Sequence, residues 1–282
     1  MFTTPLISPA DAAMLVGSPD VVFVDARFRL TDTAFGRRAH AEGHIPGAVY
    51  ADLDRDLSGP IINGETSRHP LPDVDALAHT LGRWSITDHV RVIAYDDLGG
   101  AIASRLWWML RWLGHEAVAV LDGGWPRWVA EGLPTTDLAP SPPPRTFTPR
   151  EQPHMLATMD EVQRRLNDPA WCLVDARAPQ RYAGLEEPLD PVGGHIPGAV
   201  NRFFKDNLNA DGTFQPPEVL QRRFADVDAA PEVVCYCGSG VTAAHNALAM
   251  VRAGLPMPRL YAGSWSEWIT DPANPVASNT AS

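Results

Sequence analysis

Cysteine is scarce: three residues in a chain of 282, Cys172, Cys235 and Cys237. An odd, small number in a chain this long excludes a disulfide framework and points to a reducing cytoplasm. Long apolar runs are missing too, and none approaches the roughly 20 residues that cross a bilayer. The opening residues, Met1-Phe2-Thr3-Thr4-Pro5-Leu6, lack the basic stretch and apolar block of a signal peptide. Positive charge is in short supply, with 23 Lys and Arg against 34 Asp and Glu and a formal net charge of −11. Nucleic acid and anionic membranes both need a positive field from a partner, so neither is expected. A small anionic substrate needs only local positive charge and stays open.

What is present is ordinary globular material, 45% apolar and 20% charged, and it repeats itself. Val24-Asp25-Ala26-Arg27 returns as Val174-Asp175-Ala176-Arg177. Gly43-His44-Ile45-Pro46-Gly47-Ala48-Val49 returns as Gly194-His195-Ile196-Pro197-Gly198-Ala199-Val200. Val92–Tyr95 matches Val233–Tyr236, and Asp122–Trp128 matches Ala262–Trp268. The constant order and offset mean a tandem duplication, because two copies at so long a period are domains and not a solenoid. Six prolines between Asp137 and Pro153 fix φ and remove amide donors, which predicts a semi-extended linker. The boundary is placed near residue 148, giving domains 1–148 and 149–282.

Within each copy, short apolar runs alternate with helical segments. Val21–Val24, Val90–Tyr95, Cys172–Val174 and Val233–Tyr236 show no polar alternation, which suits strands covered on both faces. Helices are expected over Ser8–Val16, Ala101–Leu113 and Thr242–Ala253. The fold class is therefore α/β, two tandem domains that each carry a mostly parallel sheet covered by helices.

Duplication also filters for function. The Asp-Ala-Arg and His-Ile-Pro-Gly segments occur in both copies and are read as parts of the fold, so His44 and His195 are turn residues. After the fourth apolar run the copies part: Asp96-Asp97-Leu98-Gly99-Gly100-Ala101 in the first, Cys237-Gly238-Ser239-Gly240-Val241-Thr242 in the second. A strand that ends at a cysteine, followed by two glycines and a helix start, can aim backbone amides and a helix N-terminus at one sulfur. Such a cradle favours the nucleophilic thiolate and would hold the outer sulfur of a persulfide. A buried structural thiol is the competing reading of Cys237, disfavoured because the matching Asp96 is expected to be exposed. Cys235 and Cys172 lie inside strands and are read as inert. A phosphatase loop would need arginine at 243, where Ala243 stands. Cys235 and Cys237 alone offer too few ligands for zinc.

These motifs together resemble the tandem-domain rhodanese-type sulfurtransferases over almost the whole chain. Cys237-Gly238-Ser239-Gly240-Val241-Thr242 is similar to the 3-mercaptopyruvate branch, whereas the thiosulfate branch carries two basic residues where this chain has Gly238 and Ser239. The resemblance implies Cys237 as the sulfur-accepting nucleophile and a proton relay of Ser239, His69 and Asp54. It implies Arg181 as the ligand of the substrate anion, with Gly238, Gly240, Val241 and Thr242 lining the substrate loop. Animal members have a second substrate arginine a little beyond the first, and Leu185–Asp190 contains none. Taken on their residues alone, Arg181 reads as a surface ion-pair partner, Asp54 as an exposed acid and His69 as a loop residue.

The implied function is transfer of sulfane sulfur from 3-mercaptopyruvate to a thiol or cyanide acceptor through a Cys237 persulfide, releasing pyruvate. A thiol acceptor of thioredoxin type would serve. No metal or organic cofactor is expected, and the chain is expected to be a cytoplasmic monomer. The alternative donor is thiosulfate; the alternative of another class is a non-catalytic persulfide carrier or sensor.

Overall fold

The computed structural model describes Phe2 and residues 4–279. The chain separates into two compact units. The first takes residues up to Gly59, Leu71–Gln152 and Leu208–Phe214; the second takes Pro60–Pro70, Pro153–Asn207 and the chain from Gln215 onward. Each unit thus includes a short segment from the other half of the sequence, which a cut near residue 148 does not anticipate.

The first unit is built on β1 (Leu6–Ile7), β2 (Val21–Asp25), β3 (Val49–Tyr50), β4 (Arg91–Tyr95) and β5 (Val118–Leu121), in the order β1-β5-β4-β2-β3. Every pairing is parallel, and β2 runs beside β4 from Val21↔Arg91 to Asp25↔Tyr95. Val24, Val92, Ile93 and Ala94 are all 0% exposed, as unalternated apolar strands require when both faces are covered. The second unit repeats the plan with β6 (Leu156–Ala157), β7 (Trp171–Asp175), β8 (Val200–Asn201), β9 (Glu232–Tyr236) and β10 (Arg259–Tyr261). Their order is β6-β10-β9-β7-β8, again all parallel.

The segments common to both copies brace the fold. Arg27 pairs with Asp25, donates to the Gly43 carbonyl at 2.7 Å and lies 4.5 Å over the Trp125 ring. Arg177 pairs with Asp175, donates to the Gly194 carbonyl at 2.6 Å and lies 4.6 Å over Trp265. Removing either partner would leave a buried charge uncompensated, at a cost of about 3–5 kcal/mol. His44 stacks on His40 and its backbone pairs with Thr136; His195 stacks on Tyr182 and its backbone pairs with Ala277. Both histidines close turns, as the filter of duplication predicted.

Local boundaries shift. The first helix covers only Pro9–Ala13, capped by Ser8, whose hydroxyl accepts the Asp11 amide at 3.1 Å. The proline-rich stretch is extended but tied down. Arg145, Arg150 and Gln152 donate backbone N–H groups to the carbonyls of Gly82, Leu113 and Trp112, so it belongs to the first unit as far as Gln152.

Candidate active site

In the second unit β9 ends at Tyr236, and Cys237 opens a loop that leads into the helix Ala243–Arg252. Gly240 has φ +78°, and a β-carbon there would stand 2.3 Å from the Ala262 carbonyl oxygen, so only glycine fits the turn. The chain just past β10 fastens the loop. The Cys237 amide donates to Ser264 Oγ at 3.1 Å, while the Trp265 and Ser266 amides donate to the Cys237 and Gly238 carbonyls at 3.0 and 2.9 Å. Gly263-Ser264-Trp265, within the repeated Ala262–Trp268 segment, therefore clamps the cysteine loop.

Cys237 is 2% exposed. Burial pushes its thiol up, but the Thr242 hydroxyl and the Ser239 and Ala243 amides outweigh that and hold it below the ordinary cysteine range. Thr242 begins the helix yet makes no side-chain capping bond, since its hydroxyl serves the sulfur instead. The helix N-terminus adds a further partial positive charge. Cys235, wholly buried in β9, and half-buried Cys172 are both pushed upward by desolvation and stay thiols.

The matching position in the first unit corrects the expectation of an exposed acid. Asp96 is 0% exposed. Its Oδ1 accepts the amides of Leu98 and Gly100 at 2.8 and 2.9 Å, and Oδ2 accepts those of Ile102 and Ala103 at 2.7 and 2.8 Å. The first copy has kept the amide cradle and filled it with its own carboxylate. Exposure therefore does not separate the two copies; the group inside the cradle does.

Around the cysteine loop the second unit gathers several predicted residues. His69, from the Pro60–Pro70 segment and 5% exposed, places Nδ1 2.8 Å from Ser239 Oγ. Arg181, on the short helix Pro179–Tyr182, is held by Glu187 at 2.7 Å and Asp190 at 3.0 Å. Its terminal nitrogens both lie 3.5 Å from the place a β-carbon would take on Gly238. Gly238, Gly240 and Val241 are buried and Thr242 is partly exposed. Asp54 belongs to the first unit, on a turn where its amide donates to Asp52 Oδ1 at 3.1 Å. Partial desolvation, then the Asp52 charge, push its carboxyl up.

Arg68 was not foreseen. Its Nη2 lies 2.8 Å from the same place on Gly238, and its guanidinium pairs with Asp190. The family resemblance points for a second arginine to the stretch just beyond Arg181. That stretch supplies the carboxylates Glu187 and Asp190, while the second guanidinium comes from more than a hundred residues earlier. The one available signal was its position beside His69.

The sequence matches the Rhodanese-like domain twice, over residues 8–131 and 158–271. It is 48% identical over 281 residues to a Pseudomonas aeruginosa protein named "Probable 3-mercaptopyruvate sulfurtransferase", covering 98% of this chain and 99% of that one. It is 37% identical over 259 residues to the thiosulfate sulfurtransferase of Mus musculus, covering 89% of this chain and 85% of that one. Among solved structures, the 3-mercaptopyruvate sulfurtransferase from Leishmania major superposes with a TM-score of 0.81 at 31% identity, covering 94% of this chain and 74% of that one. With both halves matched, the full length shared and the cysteine loop in place, the chain belongs to the rhodanese-like family and is a sulfurtransferase.

Proposed function

We propose that this chain transfers sulfane sulfur from 3-mercaptopyruvate to a thiol or cyanide acceptor through a persulfide on Cys237. The observation that carries the reading is the Cys237 thiol, held below the ordinary range by Thr242, Ser239 and Ala243. In the first half-reaction the thiolate attacks the donor sulfur, an S–S bond forms and the C–S bond breaks. The electron pair leaves on carbon as the enolate of pyruvate, which takes up a proton. Ser239 and His69 are assigned to that proton, and the family resemblance adds Asp54 to their relay. In the second half-reaction a thiolate or cyanide takes the outer sulfur and Cys237 returns as thiolate. Arg181 binds the donor carboxylate as a fork, and the Gly238, Gly240, Val241 and Thr242 loop cradles the outer sulfur.

The division of labour follows the duplication: the copy expected over 1–148 lacks a catalytic cysteine and the copy over 149–282 carries it, with Pro60–Pro70 joining the catalytic unit. Three unpaired cysteines suit a cytoplasmic setting, and the acceptor class includes thioredoxin-like thiols, met by a monomer. No helix of the described residues is long and apolar enough to cross a membrane.

Thiosulfate is the second donor to weigh, because Arg68 and Arg181 put two positive groups beside the loop. Steady-state kcat/KM with each donor and cyanide decides, with mercaptopyruvate expected to lead. Mass spectrometry after one donor equivalent should find one added sulfur on the Cys237 peptide. Cys237→Ser should abolish turnover, and Cys235→Ala should retain most of it. Sulfur found on Cys235, or single loading without turnover, would sink the enzymatic reading.

A further inference from the structure

We infer that Arg68 is a substrate-binding residue, the second guanidinium of the donor-anion site. The inference rests on Cys237 as the sulfur carrier and goes beyond it, because nothing in the spacing of the cysteine loop assigns the residue. Four observations converge. The Arg68 backbone is fixed: its amide donates at 3.1 Å to Ser266 Oγ, and the Ser266 amide donates at 2.9 Å to the Gly238 carbonyl. One serine thus holds both the arginine strap and the residue next to the nucleophile. Arg68 Nη2 comes within 2.8 Å of where a β-carbon on Gly238 would stand, so the missing side chain makes room for a cation. Asp190 joins the two arginines, one carboxylate oxygen to Arg68 and the other to Arg181. Their side chains are 29% and 16% exposed, which leaves them open to a ligand from solvent.

A carboxylate shared by two guanidinium groups is the geometry that an α-keto acid's own carboxylate would take up at that place. Asp190 holds both guanidinium groups in a fixed orientation. Donor binding then requires no new ordering of either arginine, only sharing or exchange of a carboxylate already bound there. A donor with its sulfur on Cys237 and its carboxylate between Arg68 and Arg181 would bridge the loop from nucleophile to cation pair.

The test uses the full chain as wild type, Arg68→Gln and Arg68→Lys. The first readout is KM and kcat with 3-mercaptopyruvate and cyanide. The second is the ratio of Cys237 alkylation rates by iodoacetate, an anion, and iodoacetamide, its neutral counterpart. Arg68→Gln should raise KM about tenfold or more, the scale of one charge-assisted hydrogen bond, with kcat less affected. The iodoacetate-to-iodoacetamide ratio should fall by a similar factor, and Arg68→Lys should restore part of both. An unmoved ratio overturns the inference even if KM changes, and equal slowing by both reagents would mark Arg68 as scaffolding alone. If wild type does not turn over mercaptopyruvate, the proposed reaction fails, while the alkylation ratio still judges Arg68.

Discussion

The imidazole of His69 meets the hydroxyl of Ser239 at 2.8 Å although the two stand 170 positions apart in sequence. Both groups are almost fully buried, which makes the pair a directed one. Either the imidazole accepts the serine proton or the serine accepts the imidazole N–H, so the couple can pass a proton in either sense. His69→Ala and Ser239→Ala should each lower kcat with mercaptopyruvate by about 10²-fold or more. Transfer from a preloaded Cys237 persulfide to cyanide forms no enolate, so its single-turnover rate should change little. A loss of equal size in both half-reactions would remove the pair from proton delivery.

The depressed Cys237 thiol sets a pH dependence with a definite sign. The thiolate persists to lower pH than in an ordinary cysteine, so the iodoacetamide rate should reach its half-maximum below the usual value of about 8.5. Thr242→Val keeps the shape and removes the hydroxyl that favours the charged form. Its midpoint should move up, and its rate at neutral pH should fall. A midpoint that stays put, or moves down, would show that the Thr242 hydroxyl does not stabilise the thiolate.

Asp96 gives a prediction about stability. Burial pushes its carboxyl upward, and the four amides pull it back. Asp96→Ala strands those four N–H groups in the interior, where each unpaired donor costs about 1–3 kcal/mol. Equilibrium unfolding in urea should show a loss of about 3 kcal/mol or more, with water entry offsetting part of the sum. Asn should fare only slightly better, because its amide end turns donors toward donors. A change within about 0.5 kcal/mol, the range of surface substitutions, would contradict the buried role.

Donor choice should follow the charge beside the loop as well as the loop itself. The uncharged Gly238-Ser239 pair is a sequence-level signal of a weakly positive site. The structure supplies two guanidinium groups from Arg68 and Arg181 and two carboxylates from Glu187 and Asp190. Asp190→Asn removes one negative charge there, which favours dianionic thiosulfate over a monoanionic keto acid. The ratio of kcat/KM values, thiosulfate over mercaptopyruvate, should rise about tenfold, an energy of ~1.4 kcal/mol. Adding arginine at Gly238 instead would press against Arg68 Nη2. A ratio that does not move would mean that charge at Asp190 is irrelevant to the donor.

Much of this was legible in the chain because the information was local. Unalternated runs at Val21–Val24 and Val233–Tyr236 specify covered strands, and Cys237-Gly238-Ser239-Gly240 specifies a turn at a strand end. The shared Asp-Ala-Arg segments show themselves as scaffolding because both copies keep them. What stayed hidden depends on distant partners. Nothing near Asp96 reveals that four amides will close on it, since burial of a charge is set by the fold and not by its neighbours in sequence. Arg68 reaches Gly238 only because residues 60–70 join the second unit, and helix ends moved by a few residues where caps and turns compete.

That exchange of short segments changes what kind of object the duplication has become. Severed at the proline-rich stretch, the later half would retain its nucleophile but leave behind Arg68 and His69, while the earlier half would forfeit residues 208–214. The copies are thus no longer interchangeable modules, because each includes a segment that the other half of the sequence supplies. Cutting the chain between the copies therefore parts the nucleophile from two of the side chains beside its loop.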